Sequence, residues 1–289
     1  LSWGLTVRDA WEGVFDSQSI DGCLSADDSN PNTRIPLLLA RHRGIPAVSC
    51  HHGALDSSAA FKAPCSSTRL AQGEMERDYL ERVCGVDART IRVGAPISSS
   101  ENRLLWKDDS PWIVFFTEPY EAGFWRAEAV YRDVLPRLCA LARKTGKRVV
   151  VKVHPFETAR QRRRLVKKIL SEDDQKLAVV MEAPLSSEIL SKTWCAVTVE
   201  STVAMQCALA GIPAFLCGWM RHAYSGYALQ YVRYGVGYKM ESPGDLLRIP
   251  EMMDDARRRA EVADRVVQAI SPSALAEILL QTPTRSLVS

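Results

Sequence analysis

Short apolar runs alternate with amphipathic stretches along most of this chain, and that rhythm predicts a parallel α/β fold. The plainest case is 194–219, WCAVTVESTVAMQCALAGIPAFLCGW. Residues 194–199 form a Val-rich run suited to a strand buried on both faces. Glu200, Ser201 and Thr202 follow where that strand should stop, 203–210 reads as a short helix of small residues, and Gly211 ends it. Residues 212–217 make the next buried strand. Such a unit sets hydroxyls at a helix N-terminus and at the carboxyl end of a strand. Open α/β sheets bind ligands there, because orphan N–H groups and the helix dipole attract anions. The same hydroxyls also suit a plain N-cap. A second run, 148–155 (RVVVKVHP), is an apolar strand that ends abruptly in Lys152, His154 and Pro155. Lys152 among valines is an unusual address for a charge unless something pairs with it. Two strands of one predicted sheet therefore end in side chains able to meet phosphate.

The rest of the chain continues the alternation. A helix is expected over 1–15 and a strand at 20–24, followed by a polar run containing Asp27 and Asp28. A helix over 35–43 leads to a strand at 45–50 that ends in His51-His52-Gly53. Residues 54–67 read as loop, and strands at 68–72 and 90–93 flank a helix at 74–83. The polar stretch 98–109 reads as an inter-domain linker. Beyond it, a strand at 112–117 opens into Glu118, Pro119 and Tyr120, and a long helix over 124–144 is expected to kink near Pro136. The helix predicted over 158–170 carries Arg160, Arg162, Arg163, Arg164, Lys167 and Lys168, read most simply as a solvated face. A strand at 177–181 and a short helix at 184–191, with Ser186 and Ser187 at its start, precede the Glu200 unit. Tyrosines crowd 221–238, a stretch that also holds His222, and 250–270 reads as a charged helix. The expected architecture is α/β: two Rossmann-like doubly wound domains, 1–108 and 109–289.

Composition narrows the picture by exclusion. A length of 289 residues suits two domains, and 46% hydrophobic with 25% charged residues is ordinary for a globular protein. A net charge of +3 creates no field that would point to nucleic acid. No apolar run reaches the roughly 20 residues of a membrane span. Eight cysteines are scattered without a CxxC, which fits neither zinc ligation nor a disulfide scaffold and implies a reduced, cytoplasmic protein. There is no GxGxxG fingerprint, no Walker loop and no GxSxG elbow.

With these residues collected, the chain resembles two-domain glycosyltransferases of GT-B architecture. Within them it is similar to the bacterial group with a KxHP element and a later S-T element, which includes capsule-polysaccharide transferases, sialyltransferase-like enzymes and teichoic-acid polymerases. The matching positions are Lys152-Val153-His154-Pro155, Glu200-Ser201-Thr202 and Ala208 to Pro213 (ALAGIP). In the first half, Gly44-Ile45-Pro46 through His51-His52-Gly53 resembles that group's GIP…QHG strand and turn, and Arg92 to Pro96 resembles the end of its first domain. The likeness covers about 44–237. Two departures stand out: the first domain is short, so it is expected to be incomplete, and the QHG position reads His51-His52-Gly53.

The resemblance implies a metal-independent transfer of sugar from a nucleotide-activated donor, cytidine favoured, to a polysaccharide or glycolipid acceptor. His154 would donate to a phosphate oxygen, Ser201 and Thr202 would hold others, Lys152 would add charge and Glu200 would hold ribose hydroxyls. Glu118, Pro155 and Ser186 complete the expected donor side, while Asp27, His51 and His52 are the candidates for a base toward the acceptor hydroxyl. Asp27 and Asp28 are adjacent rather than spaced as DxD, so no essential metal is expected, and no cofactor beyond the nucleotide-sugar substrate. The expected partners are that donor and a saccharide or glycolipid acceptor, with no nucleic acid. A peripheral association with the inner face of the cytoplasmic membrane stays open. The rival readings are a nucleotide-sugar 2-epimerase of the same fold and a non-catalytic module that binds nucleotide or a partner.

Overall fold

The computed structural model describes residues 2–26, 30–50, 64–95, 105–120, 126–220, 227–260 and 266–280. The chain divides into two compact units, Leu1–Ser100 with Arg265–Ser289, and Glu101–Asp264.

The first unit alternates helices and strands: α1 (Ser2–Ser17), β1 (Cys23–Ser25), α2 (Pro31–His42), β2 (Ala47–Ser49), β3 (Thr68–Ala71), α3 (Glu74–Arg82) and β4 (Ile91–Val93). The strands form a parallel sheet in the order β1-β2-β3-β4. Helix α2 starts earlier than its apolar periodicity suggests. The Asn30 side chain accepts the Thr33 N–H at 3.3 Å, and Pro31 supplies a preset φ at the first helical position. Neighbouring strand residues face opposite sides of the sheet. Ala47 joins Phe15, Leu37 and Ala40 in one cluster, while Val48 joins Cys50 and Leu70 in another.

That second cluster explains where the chain's end goes. The sequence reading placed everything after 109 in the second domain. Instead, 266–280 lies in the first unit: Ile270, Leu275, Ile278 and Leu279 pack against Val48 and Leu70, the last three from helix α11 (Pro272–Leu280). The backbone is tied in as well, with Ala95 N–H donating to Gln268 O at 2.7 Å and Ile270 N–H to Ala95 O at 2.9 Å. Gly94 permits the approach, since a Cβ there would lie 2.8 Å from Cβ of Ile270. An apolar sheet face has to be covered, and this segment covers it.

The second unit contains β5 (Trp112–Phe116), α4 (Ala127–Thr145), β6 (Arg148–Lys152), α5 (Ala159–Ile169), α6 (Glu172–Leu177), β7 (Ala178–Met181) and α7 (Ser187–Ser191). It continues through β8 (Thr193–Thr198), α8 (Val203–Leu209), β9 (Ala214–Cys217), α9 (Tyr227–Arg233), β10 (Tyr238–Met240), the 3₁₀ turn Pro243–Arg248 and α10 (Ile249–Ala260). Helix α4 runs through Pro136 and stops at Gly146, whose φ of 69° gives the left-handed cap. The region read as one charged helix over 250–270 is helical only to Ala260 among the described residues. All strands are parallel, in the order β10-β9-β8-β5-β6-β7. The chain builds outward from β5 through β6 to β7, then returns to lay β8 on the other side of β5. The strand order reverses between β5 and β8, and in doubly wound sheets that crevice is where ligands bind.

Candidate functional site

Strand register brings three turns together at this switch point. Phe116 pairs with Lys152, and Phe115 with Val197, so β5, β6 and β8 end side by side. The segments that follow them are Thr117-Glu118, Val153-His154-Pro155 and Val199-Glu200-Ser201-Thr202. Lys152, His154, Glu200, Ser201, Thr202 and Glu118 thus come from the three adjacent strand ends. Ser186 does another job: its hydroxyl accepts the Ile189 N–H at 3.4 Å as the cap of α7, after the edge strand β7. Pro155 is exposed in the turn after His154. Asp27, His51, His52 and His222 lie outside the described residues.

His154 is held by its backbone and by its ring. Its N–H donates to Thr117 Oγ1 at 3.1 Å and to Glu157 Oε2 at 3.2 Å, and its carbonyl accepts the Glu157 N–H at 2.9 Å. Its Nδ1 accepts the Phe156 N–H at 3.2 Å, and the two rings lie 5.2 Å apart. A ring nitrogen that accepts a backbone N–H carries no proton, so the proton sits on Nε2. Nε2 makes no hydrogen bond to a described residue. Burial pushes the imidazole's proton affinity below its usual value, Lys152 adds to the push, and Glu157 opposes it. His154 is therefore a neutral Nε2–H donor at neutral pH.

Behind this turn lies a buried polar network. Glu157 and Arg162 form an ion pair with side chains 2% and 6% exposed, and the Thr117 hydroxyl donates to the same carboxylate. The Arg162 guanidinium also stands 5.8 Å from the Tyr131 ring centre. Sequence reading missed all of this, having taken Arg162 with its exposed neighbours on α5. The signal was present in the spacing: Arg162 shares the 159, 162, 166 and 169 stripe with Ala159, Val166 and Ile169, the helix's inward face.

Lys152 is 7% exposed, and its Nζ donates to the Val153 carbonyl at 2.8 Å. Burial lowers its proton affinity, and the Glu182 carboxylate partly offsets that. At the end of β8 the hydroxyls divide their work. Ser201 Oγ accepts the Val203 N–H at 3.3 Å as a local cap, whereas Thr202 makes no side-chain capping bond. The amides of this turn do not stand open, as the sequence reading had expected. Those of Val199, Glu200 and Ser201 all donate to the Glu118 carboxylate, at 3.1, 2.9 and 3.2 Å. Burial raises the proton affinity of Glu118, and Glu200 adds to this against the pull of the donors.

Four buried cysteines of the second unit offer no competing nucleophile. Burial drives the thiols of Cys195, Cys207 and Cys217 far above their usual range and that of Cys139 up to about 12. Among the described residues no group of three His, Cys, Asp or Glu side chains could hold a metal ion. Among them, too, no helix is long and apolar enough to cross a membrane.

Two parallel Rossmann-like sheets, the second doubly wound, define a fold of the two-domain GT-B type. Solved structures with this arrangement include Staphylococcus aureus MnaA in complex with UDP, with TM-score 0.63, 13% identity, and coverage of 96% of this chain and 79% of that one. UDP-GlcNAc 2-epimerase from Neisseria meningitidis bound to UDP-GlcNAc matches with TM-score 0.61 and 13% identity, over 96% of this chain and 80% of that one. The H548A form of the wall teichoic acid polymerase TagF matches with TM-score 0.52 and 11% identity, over 81% and 67%. No family model matches the chain, and none of the curated proteins matches it in sequence.

Proposed function

We propose that this protein is an enzyme that binds a nucleotide-activated sugar at the ends of β5, β6 and β8 and transfers the sugar to a saccharide or glycolipid acceptor. The observation that carries the proposal is the Nε2–H of His154 at the switch point, with Lys152 at the end of the same strand and the Thr202 hydroxyl after β8, on the other side of β5. Cleaving the bond between sugar and phosphate leaves new negative charge on the leaving phosphate, and donors already in place lower that barrier. His154 supplies a hydrogen bond there rather than a proton, because protonating Nδ1 would break its bond to Phe156. Thr202 adds a second donor, Lys152 adds positive charge, and Glu200 takes the ribose hydroxyls. Asp27 or His51 serves as base toward the acceptor hydroxyl; if replacing each singly left turnover intact, neither would hold that role. The reaction needs no cofactor, the cytidine nucleotides are the favoured donors, and the enzyme is cytoplasmic, with peripheral association at the inner membrane face open to it where the acceptor is a glycolipid.

A 2-epimerase is the second reading, supported by the uridine nucleotides bound in two solved structures of this fold. It breaks the same bond but needs no acceptor. ³¹P NMR of CMP-, CDP- and UDP-sugars with and without acceptor glycans separates the two. Release of nucleotide only with acceptor identifies the transferase, and an epimerised sugar without acceptor identifies the isomerase. Nucleotide binding without turnover of any donor would overturn both in favour of a binding module.

A further inference from the structure

The Glu118 carboxylate leaves the end of β5 and reaches across the switch point to the end of β8. There a single oxygen, Oε1, accepts four hydrogen bonds: from Thr198 Oγ1 at 2.9 Å and from the amides of Val199, Glu200 and Ser201 at 3.1, 2.9 and 3.2 Å. Three consecutive amides converging on one point make a concavity that suits an anion. Here the chain fills it with its own carboxylate. Thr198 is itself anchored, its hydroxyl also lying 3.2 Å from the Phe116 carbonyl. The carboxylate thus links two strands that neighbour each other in the sheet but lie far apart in sequence.

We propose that Glu118 is the positioning residue of this site. It holds the Val199–Ser201 turn in the shape that presents the Glu200 side chain and the Ser201 and Thr202 hydroxyls. By filling the concavity it also leaves the ligand's phosphate to side chains rather than to these amides. Three partly buried N–H groups deprived of their acceptor must find another partner or turn away, and the turn would not keep its shape. What the turn presents rests on the proposed function; what holds the turn does not.

The test exploits the size of the missing group. Glu118→Ala is melted without nucleotide in sodium acetate and in sodium chloride of equal ionic strength. The variant is expected to melt below wild type and to recover saturably with acetate but not chloride, while wild type responds to neither. Glu118→Gln keeps an acceptor oxygen and is expected to melt near wild type without acetate. Nucleotide affinity of Glu118→Ala should fall by about tenfold or more, as for the loss of a well-placed charged hydrogen bond, and return with acetate. A melting temperature equal to wild type, or a loss that acetate does not repair, overturns the proposal. Should Glu118→Ala fail to fold, the ¹H–¹⁵N amide shifts of Val199, Glu200 and Ser201 in Glu118→Gln decide it. The three are expected to move together relative to wild type, and unmoved amides would overturn it. If wild type binds no nucleotide, the functional reading fails while the acetate response still decides this one.

Discussion

The buried pair of Glu157 and Arg162 offers a prediction whose size follows from the structure. Its side chains are 2% and 6% exposed, and Glu157 also accepts from the His154 amide at 3.2 Å and from the Thr117 hydroxyl. Glu157→Ala leaves a guanidinium buried without its carboxylate and takes the stronger acceptor from the Thr117 hydroxyl and one of two acceptors from the His154 amide. Breaking a buried pair from one side costs about 3–5 kcal/mol. For a unit of this size each kcal/mol lowers the melting temperature by about 2–4 °C, so the expected loss is about 6–20 °C by circular dichroism or calorimetry. Replacing both partners with apolar residues should behave differently, since a buried pair exchanged for well-packed side chains is often neutral. The Glu157→Leu/Arg162→Met double variant is therefore expected to regain most of the lost stability. It should not regain nucleotide affinity, because the carboxylate that holds the Thr117 hydroxyl and the His154 amide together is still missing. A Glu157→Ala variant that melts within about 2 °C of wild type, less than about 1 kcal/mol, would refute the reasoning.

Other expectations follow from single residues. The imidazole of His154 has a folded proton affinity below its unfolded value of about 6.5, so its contribution to stability is full above that pH and is lost as pH falls through the lower folded value. Melting curves between about pH 5 and 8 should then show wild type losing ground to His154→Gln on acidification, and a difference independent of pH would contradict the assignment. Lys152→Met removes a buried ammonium with one carbonyl acceptor, so the variant should melt at or above wild type yet bind nucleotide more weakly. Unchanged affinity would take Lys152 out of the site. Gly94→Ala forces a methyl group to 2.8 Å from the Ile270 Cβ, at a φ of 154° that side chains rarely adopt, and should lower stability by about 1–3 kcal/mol or more in thermal melting. A Gly94→Ala variant that melts like wild type would mean that the tail does not pack there.

Much of the second unit was readable because its strands are short Val-rich runs ended by Gly, Pro or polar residues, as in 148–155 and 194–199. Those local signals also located His154, Glu200, Ser201 and Thr202 at strand ends. Three features were not readable, the first two because they depend on residues far apart in the chain. The return of 266–280 to the first unit is decided by the uncovered face of Val48 and Leu70, which no window around Leu275 contains. Glu118 was placed near the site as a ligand-facing residue, but its engagement with Thr198 to Ser201 depends on β8 lying beside β5. Arg162 looked like one more cation on a basic helix, because its partner Glu157 belongs to the turn before the helix rather than to the helix itself. Strand β10 (Tyr238–Met240) was hidden for a different reason, as three residues at the end of a tyrosine-rich stretch leave little period to detect.

The proposed site holds a sugar nucleotide at the ends of β5, β6 and β8 through the Nε2–H of His154. Isothermal titration of CMP and of UDP into wild type and into His154→Ala tests it most directly, with both proteins first shown to melt alike. Saturable binding of at least one nucleotide to wild type, weakened by about tenfold or 1.4 kcal/mol in the variant, is the predicted result. Equal affinity in the two proteins, or no binding to wild type at all, would contradict it.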